Sequence, residues 1–190
     1  MSSAERPELI VFLGNVGLQY ARTRHNAGWI VADSFLPGAQ SRWQKKFNAV
    51  WIRARRHDAT FVALKPQLMM NRSGESVQAA ARFFRVSVSQ IAVVHDDSEL
   101  PFGSIGIRRG GGLGGHNGLR STEQHVGSRD FWRLRFGIGR PAHDLRSHVL
   151  GRFEPEEEAR LGQIVDLACS LLDRGIEIGF DALPARSEAF

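Results

Sequence analysis

Two short apolar runs constrain the fold of this chain more than any other feature. Residues 8–14 (ELIVFLG) and 91–97 (IAVVHDD) are almost continuously apolar, and each run ends in glycine or polar residues. Runs of this length, bounded in this way, are typical of strands that are buried on both faces of a sheet. Helical patterns alternate with the strand-like segments along the chain, and this alternation predicts an α/β fold.

Two adjacent segments predict that the sheet is mixed rather than purely parallel. Residues 47–54 and 59–66 are rich in β-branched and aromatic side chains, and the polar stretch RRHD lies between them. This arrangement is typical of an antiparallel hairpin. We expect further strands at 104–109 and 132–139, and helices at 26–36, 76–85, 117–126 and 154–175.

The helix predicted over 154–175 has the clearest boundaries. Pro155 suits its first turn, acidic residues follow at the end where the helix dipole favours them, and Gly175 suits its last residue. The remaining residues are expected to add a short helix and then a frayed tail.

Length and composition agree with one globular domain. The chain has 190 residues, of which 42% are hydrophobic and 24% charged, and a chain of this length buries a full core. No repeat, linker or domain boundary is visible in the sequence. We predict a single domain over residues 1–190, with a core at 8–180 and flexible tails at 1–7 and 184–190.

Nothing in the sequence predicts a membrane location. No apolar run approaches the roughly 18 residues that a membrane span needs, and the polar first residues lack the apolar core of a signal peptide. Cys169 is the single cysteine, which rules out an internal disulfide, so we expect a cytoplasmic protein. The spacing of Cys169 from Val165 and Leu172 favours a thiol in the core over a nucleophile.

The charge of the chain is compatible with a polyanionic partner. The sequence has 25 Lys and Arg residues against 20 Asp and Glu, a net charge of +5, and its pI is near 10.3. Arginines cluster at 53–56, 108–109 and 133–135. Such a basic surface either binds nucleic acid or serves solubility alone, and charge does not distinguish the two.

The familiar cofactor motifs fail on spacing. A dinucleotide-binding loop would need glycines where Val16 and Gln19 stand, and a P-loop would need Lys and Ser or Thr where His116 and Asn117 stand. No H-E-x-x-H or paired C-x-x-C occurs, so we expect neither a metal nor an organic cofactor. A nucleotide-binding protein that uses the glycine-rich loop at 110–115 is one alternative.

Polar residues at the ends of apolar segments form the candidate site. Each asparagine alone is a good helix N-cap, and Asn26, Asn71 and Asn117 all stand near predicted helix starts. His95 and His116 are compatible with a structural role. The candidate site residues are Asn15, His25, Asn71, Asp96 and Asn117.

Taken together, these residues favour catalysis. Asn15 and Asp96 both follow predicted strands, and ligands of open α/β sheets bind beyond the carboxyl ends of the strands. A histidine with an aspartate partner is a minimal general base, and asparagine amides both donate and accept hydrogen bonds without adding charge. With water as the attacker, this set suits hydrolysis of a peptide-like ester. The helix after His25 favours the neutral imidazole, against the opposing pull of Asp96.

Longer motifs resemble the bacterial-type peptidyl-tRNA hydrolase family. They are, in order, GNVGLQYARTRHNAGW, KPQLMMNRSG, VVHDDSELPFG, RRGGGLGGHNGL, FWRLRFGIGRP and HVLGRFEPEE. The resemblance covers roughly residues 9–180. It implies a monomeric three-layer α/β sandwich, with a twisted mixed sheet flanked by helices. It also implies hydrolysis of the ester between peptide and tRNA in peptidyl-tRNA, which recycles the tRNA without a cofactor.

The resemblance further implies roles for single residues. His25 matches the catalytic base, Asp96 its partner, and Asn15 the asparagine that helps to discriminate blocked from free aminoacyl-tRNA. Arg108 and Arg135 match basic residues that grip a tRNA phosphate, for which Arg is a sound ligand. The substrate-binding positions of the family are matched by Tyr20, Met69, Asn71 and Asn117.

Three positions depart from the family pattern. Val16 stands where proline is usual, which is expected to loosen the loop that holds Asn15, and Met69 stands where an aromatic residue is usual, which is expected to weaken a stacking contact. Leu113 stands where histidine is often found. None of these changes removes a catalytic group, so we predict an enzyme. The alternative is a non-catalytic RNA-binding member of the same fold, which has no need for a histidine–aspartate pair with three amides.

Overall fold

A computed structural model describes residues 6–39, 42–141 and 144–190, and a mixed β-sheet organises this part of the chain. The eight strands found there lie in the order β2-β3-β4-β1-β5-β7-β6-β8. Their bounds are Leu9–Phe12 (β1), Gln44–Lys46 (β2), Ala49–Arg56 (β3), Ala59–Pro66 (β4), Ile91–Asp97 (β5), Ser104–Arg109 (β6), Trp132–Gly137 (β7) and Arg186–Glu188 (β8).

Helices cover both faces of the sheet, as the predicted three-layer architecture requires. Short 3-10 turns precede two of them, at Arg24–Asn26 and at Met70–Arg72. The α-helices are Ala27–Phe35 (α1), Ser73–Phe84 (α2), Asn117–Val126 (α3), Leu145–Leu150 (α4) and Pro155–Ile178 (α5). None of the helices in the described ranges is long and apolar enough to cross a membrane.

The centre of the sheet is parallel and its flanks are antiparallel. Strand β1 pairs in parallel with β4 and β5, and β5 pairs in parallel with β7. The hairpin β3–β4 and the pair β6–β7 are antiparallel. The predicted mixed sheet is therefore confirmed, and the carboxyl ends of β4, β1, β5 and β7 meet at one edge.

Strand β1 divides the hydrophobic core into two layers. Ile10 and Phe12 pack on the layer that α1 and α5 cover, whereas Leu9 and Val11 pack on the layer that α2 and α3 cover. All four side chains are completely buried. Alternate side chains of a strand point to opposite faces, so a continuous apolar run is what a central strand needs, as the sequence predicted.

The long helix α5 begins as predicted but ends later. Pro155 is its first residue, and the side chains of Glu154 and Glu157 cap its first turn. Gly175 was expected to end it, but the helix continues to Ile178. A Cβ atom at position 175 would collide with the ring of Phe180, so glycine stands there for close packing rather than for termination.

Residues Arg186–Glu188 form strand β8 within the segment 184–190 for which a flexible tail was predicted. Strand β8 pairs with β6 in antiparallel register, with Gly106 opposite Arg186. Ser104 also donates from Oγ to a carboxylate oxygen of Glu188 at 2.7 Å. The exposed edge of β6 offers unpaired backbone groups, and these order a segment without a strand-like sequence. At the other terminus, residues 1–5 of the predicted tail lie outside the described ranges.

Candidate active site

His25 and Asp96 form a buried hydrogen-bonded pair at the carboxyl edge of the sheet. His25 lies in the 3-10 turn before α1, and Asp96 lies at the end of β5. The Nδ1 atom of His25 is 2.9 and 3.0 Å from the two carboxylate oxygens of Asp96. A carboxylate only accepts hydrogen bonds, so Nδ1 carries the proton and Nε2 keeps a free lone pair. The pair therefore has the form of a general base.

His116 binds the same carboxylate from a second direction. Its Nε2 lies 3.0 Å from Oδ1 of Asp96, and its Nδ1 accepts from the backbone N–H of Gly118 at 3.1 Å. Because Nδ1 is an acceptor, the proton is on Nε2, which donates to Asp96. His116 is also the N-cap of α3, so Asn117 is not the cap that helix propensity suggested. Sequence reasoning left His116 without a role in the site.

Burial, neighbouring charges and hydrogen bonds shift the pKa values of Asp96, His25 and His95 at this edge. Burial raises the pKa of Asp96, but the charges and hydrogen bonds of His25 and His116 outweigh it and hold that pKa well below its usual range. Burial lowers the pKa of His25, but the charge and hydrogen bond of Asp96 outweigh it and raise the net value. Burial and then the charge of His116 lower the pKa of His95 to about 3. The rise in the pKa of His25 is therefore the work of Asp96 against burial.

The loop that carries Asn15 is held by Asn26 rather than by the helix. The side chain of Asn26 accepts from the backbone N–H of Asn15 at 2.8 Å and donates to its carbonyl at 3.0 Å. It makes no capping hydrogen bond to α1, so its expected role as a cap is wrong. Both polar atoms of its amide therefore bond to the loop.

The orientation of the Asn15 amide follows from its neighbour. Its Oδ1 accepts from the backbone N–H of Met70 at 2.8 Å, which fixes the oxygen on that side. The Nδ2 group then remains as a pair of donors at the cleft. A carbonyl oxygen, or the oxyanion formed from it, is the natural ligand for such donors.

A cleft of about 590 Å³ opens above these groups. It has an asparagine-bearing polar side and an apolar wall that includes Leu113 and, from α4, Val149 and Leu150. The predicted site residues that line it are Asn15, His25, Met69, Asn71, Asp96 and Asn117. The structure therefore gathers six of the nine candidates in one place, whereas Tyr20, Arg108 and Arg135 lie outside the lining.

Three arginines of β6 and β7 form a basic cluster beside the glycine-rich loop. Arg108 pairs with Arg133 across the two strands and is exposed, whereas Nε of Arg135 donates to Asp97 at 2.8 Å. Burial, followed by the charges of Arg135 and Arg108, lowers the pKa of Arg133 to about 10. The two predicted phosphate ligands are thus neighbours, with a third guanidinium beneath them.

Arg133 supports the glycine-rich loop and was not identified from the sequence. Its guanidinium is buried and donates to the carbonyl oxygens of Gly112, at 2.9 Å, and Gly110. Gly110 and Gly111 both have positive φ, a conformation that glycine adopts without strain. The sequence motif WRLR does not indicate that its first arginine is buried or that it contacts this loop.

Arg24 is a second buried arginine whose supporting role sequence reasoning missed. Its side chain is buried and donates from Nη1 to the carbonyl of Arg152 at 2.6 Å and from Nη2 to Glu157 at 2.5 Å. Its backbone N–H donates to the carbonyl of Gly151 at 2.9 Å. These bonds tie the turn that carries His25 to the link between α4 and α5.

The ring nitrogens and carboxylate of His25, Asp96 and His116 lie within 4.8 Å of one another, close enough to surround a metal ion. The hydrogen bonds favour another arrangement. The N–H of Gly118 donates to Nδ1 of His116, so Nε2 keeps its proton and has no lone pair for a metal. The three groups form a hydrogen-bonded chain, and the absence of a metal stays a prediction.

Comparison with known proteins gives the family. The model of the peptidyl-tRNA hydrolase family matches residues 9–188. The peptidyl-tRNA hydrolase of Treponema pallidum (strain Nichols) is 44% identical over 175 residues, which cover 87% of each chain. That of Anaeromyxobacter dehalogenans (strain 2CP-C) is 45% identical over 176 residues, covering 90% of this chain and 91% of the relative. This chain belongs to the peptidyl-tRNA hydrolase family.

The fold agrees with that of the peptidyl-tRNA hydrolases. The crystal structure of peptidyl-tRNA hydrolase from Acinetobacter baumannii matches with a TM-score of 0.83 at 33% sequence identity, over 93% of this chain and 92% of that one. The resemblance seen in the sequence motifs and the predicted mixed-sheet sandwich are therefore both confirmed.

Proposed function

We propose that this protein hydrolyses the ester bond between the peptide, or an N-blocked aminoacyl group, and tRNA in peptidyl-tRNA. The reaction recycles tRNA from peptidyl-tRNA that dissociates prematurely. The observation that supports it most directly is the His25–Asp96 pair, with Nε2 of His25 unprotonated at a cleft that asparagine amides line. A non-catalytic RNA-binding protein would have no use for this pair.

The geometry supports water as the nucleophile and His25 as the base. Nε2 of His25 takes a proton from water while the water oxygen attacks the ester carbonyl, and the Asp96 carboxylate stabilises the imidazolium that forms. Collapse of the tetrahedral intermediate breaks the bond to the ribose oxygen, and the imidazolium returns the proton to that oxygen. General base catalysis of this kind typically contributes about 10²–10⁴-fold.

Asparagine amides supply the neutral hydrogen bonds that the intermediate needs. Asn15 is the first candidate for the oxyanion, because its oxygen is held by Met70 and its Nδ2 group is free to donate. Asn71 lines the same cleft and is the second candidate for orienting water or carbonyl. Asn117 and the backbone of the glycine-rich loop would hold the peptide.

The tRNA is bound by charge rather than by sequence. We assign Arg108 and Arg135 to a tRNA phosphate, because they project from neighbouring strands beside Arg133, whose buried charge adds to the local positive potential. Tyr20 and Met69 are assigned to contacts with the substrate. We further propose that the protein is a cytoplasmic monomer and that residues 1–190 act as a single domain without a cofactor.

A turnover assay tests the proposal. The protein should release N-acetyl-amino acid from N-acetyl-aminoacyl-tRNA and leave free aminoacyl-tRNA largely uncleaved. The His25→Ala variant should bind the blocked substrate but scarcely cleave it. Near-normal turnover by this variant would refute the base assignment, and a wild-type protein that binds but never cleaves would favour the RNA-binding alternative.

A further inference from the structure

A cluster of aromatic and basic side chains covers the flank of the sheet that lies away from Arg108. It is built from the hairpin β2–β3 and the last turn of α2, and we call it the cation–aromatic face. Its members are Lys46, Phe47, Trp51, Arg53, Phe83 and Phe84.

The aromatic rings of this face touch one another and are contacted by cations. Phe47 lies 5.3 Å from Phe83 between ring centroids, and Trp51 lies 5.0 Å from Phe84. Nζ of Lys46 is 3.5 Å from the centroid of Phe83, and the guanidinium carbon of Arg53 is 5.7 Å from that of Phe84. Cations at these distances are attracted to the rings.

Phe83 is the exposed centre of the face. It is 56% exposed, whereas Phe47, Trp51 and Phe84 are partly buried. Phe47 and Phe84 pack against it and the flexible Lys46 side chain lies over its ring, yet more than half of Phe83 stays exposed. An exposed ring supported in this way offers a flat apolar surface to a ligand.

The backbone of the β2–β3 turn is strained, and the strain places Phe47 in the face. Phe47 and Asn48 have φ values of 62° and 50°, and a bulky residue such as Phe is uncommon in this region. Such strain persists only where the surroundings over-determine it, and here Phe47 packs on Phe83 and Phe84.

The face carries an unbalanced positive charge. Residues 44–55 and 76–95, which supply the face and its borders, contain no Asp or Glu. Within the described ranges, Lys46 and Arg53 contact rings but form no ion pair. Arg82 and Arg85, which flank Phe83 and Phe84 in sequence, are exposed.

The face lies on the opposite side of the catalytic pair from the arginine cluster. In the sheet order, β3 stands three strands from β5 on one side, whereas β6 and β7 lie on the other. Neighbouring strands are about 4.8 Å apart, which places β3 about 14 Å from β5. The turn at Phe47 also lies at the carboxyl edge, because Ala49 pairs with Pro66 at the end of β4. The cleft and the face are therefore adjacent on one edge.

We propose that the cation–aromatic face binds a stretch of unpaired RNA, with its cations on the phosphates and Phe83 stacked on a base. Proteins that bind single strands combine a positive surface with aromatic rings on which bases stack. An acidic protein would match the charge but has less use for an exposed phenylalanine. The choice of RNA among polyanions rests on the proposed function.

Binding of a labelled ten-nucleotide oligouridylate, followed by fluorescence anisotropy at several salt concentrations, tests this proposal. The Phe83→Ser variant should bind about fivefold more weakly or worse, because loss of one stacking partner has about that effect. The Lys46→Gln/Arg53→Gln variant should also bind more weakly. It should lower the slope of log K against log salt by about 1.4, since each single-strand phosphate contact contributes about 0.7.

A matched control removes the same charge elsewhere. Both control residues lie on α5. The guanidinium carbon of Arg160 is 3.1 Å from the ring centroid of Phe190, and Arg174 is exposed. The Arg160→Gln/Arg174→Gln variant should keep the wild-type Kd within about twofold. An equal loss in this control would overturn the proposal, because it would show non-specific attraction. An unchanged Kd in Phe83→Ser, or competition by polyglutamate as strong as that by RNA, would overturn it too.

Three further measurements keep the result unambiguous. Thermal melts check that the variants are folded, and Phe83→Leu, which keeps the apolar contacts but not the aromatic face, should weaken binding in the same direction as Phe83→Ser. Hydrolysis of an N-blocked aminoacyl ester on a short 3′ RNA fragment should be unchanged in Phe83→Ser. Absence of that activity in the wild type would count against the proposed function, whereas the change in oligouridylate affinity between the wild type and Phe83→Ser reports on the face.

Discussion

His116 donates from Nε2 to the same oxygen of Asp96 that accepts from His25, at 3.0 Å. The carboxylate is thus held from two sides, and its orientation toward His25 depends on a side chain outside the catalytic pair. His116 is in turn fixed by the N–H of Gly118, which makes the N-terminus of α3 part of the support for the base.

Removing this support should lower the rate more than the affinity. In His116→Ala, Asp96 loses one of its two histidine partners and α3 loses its cap, which by itself costs about 0.5–2 kcal/mol of stability. We expect kcat to fall about tenfold, which corresponds to about 1.4 kcal/mol of transition-state stabilisation, with KM little changed. Steady-state kinetics on N-acetyl-aminoacyl-tRNA measure both. His125→Gln, a change in the last turn of the same helix, is the control, and a similar fall there would point to damage to α3 as a whole.

The pH dependence of the rate should show the raised pKa of His25. Burial lowers that pKa, but the charge and hydrogen bond of Asp96 raise it above the ordinary 6.5. Since the base must be neutral, kcat/KM should be low in acid and should rise through a midpoint above pH 6.5. In Asp96→Asn the opposing burial remains, so the midpoint should move to lower pH while kcat falls steeply. If the midpoint stays in place, the rise of kcat/KM with pH reflects the titration of another group.

His95 should make the fold sensitive to acid. Its pKa is about 3 in the folded protein, chiefly because of burial, against 6.5 when exposed. Between these values the unfolded chain binds a proton that the folded chain does not, so stability falls as the pH drops through this window. One group contributes at most about 1.4 kcal/mol per pH unit. Urea unfolding between pH 7 and 4 measures the slope, which should be shallower in His95→Asn.

The strands and helices that local pattern alone specifies were predicted well. Strand β5 and helix α3 have the bounds that the sequence suggested, 91–97 and 117–126, because an apolar run and a strong helical pattern need no distant partner to be recognised. The segment at 186–188 could not be predicted. It is a strand only because the edge of β6 is free to pair with it.

The residues of the candidate site divide in the same way, into those that local sequence indicates and those that only the folded chain brings together. The positions of His25 and Asp96 follow from strand ends and from the family resemblance, since both depend on order along the chain. Asn26 was misjudged because capping is a local rule, whereas its partner Asn15 lies 11 residues away in a loop that only the folded chain brings close. His116 carried no signal for the same reason.

The buried contacts of Arg24 should be needed for stability. Arg24→Gln would remove the charged donor from Glu157 and the Nη1 bond to the carbonyl of Arg152. Because Arg24 is buried but Glu157 is 22% exposed, we expect a cost below the roughly 3–5 kcal/mol of a fully buried ion pair. The matched control is Arg22→Gln, two residues away, which breaks an exposed pair with Glu158 and should cost about 0–1 kcal/mol. Chemical denaturation compares the two. Equal losses would show that Arg24 is not a structural anchor.

The arginine cluster should govern tRNA affinity without touching the chemical step. Arg108 is exposed and forms no ion pair within the described ranges, so Arg108→Ala should raise KM for tRNA substrates and reduce the salt dependence of binding by about one phosphate contact. Arg135 donates to Asp97, so Arg135→Ala should raise KM and also free a carboxylate beside the phosphate, which adds repulsion. The larger effect is therefore expected for Arg135. Hydrolysis of a small N-acetyl-aminoacyl ester without a phosphate should be unaffected in both variants, and a matching loss on that ester would place the arginines in the chemical step instead.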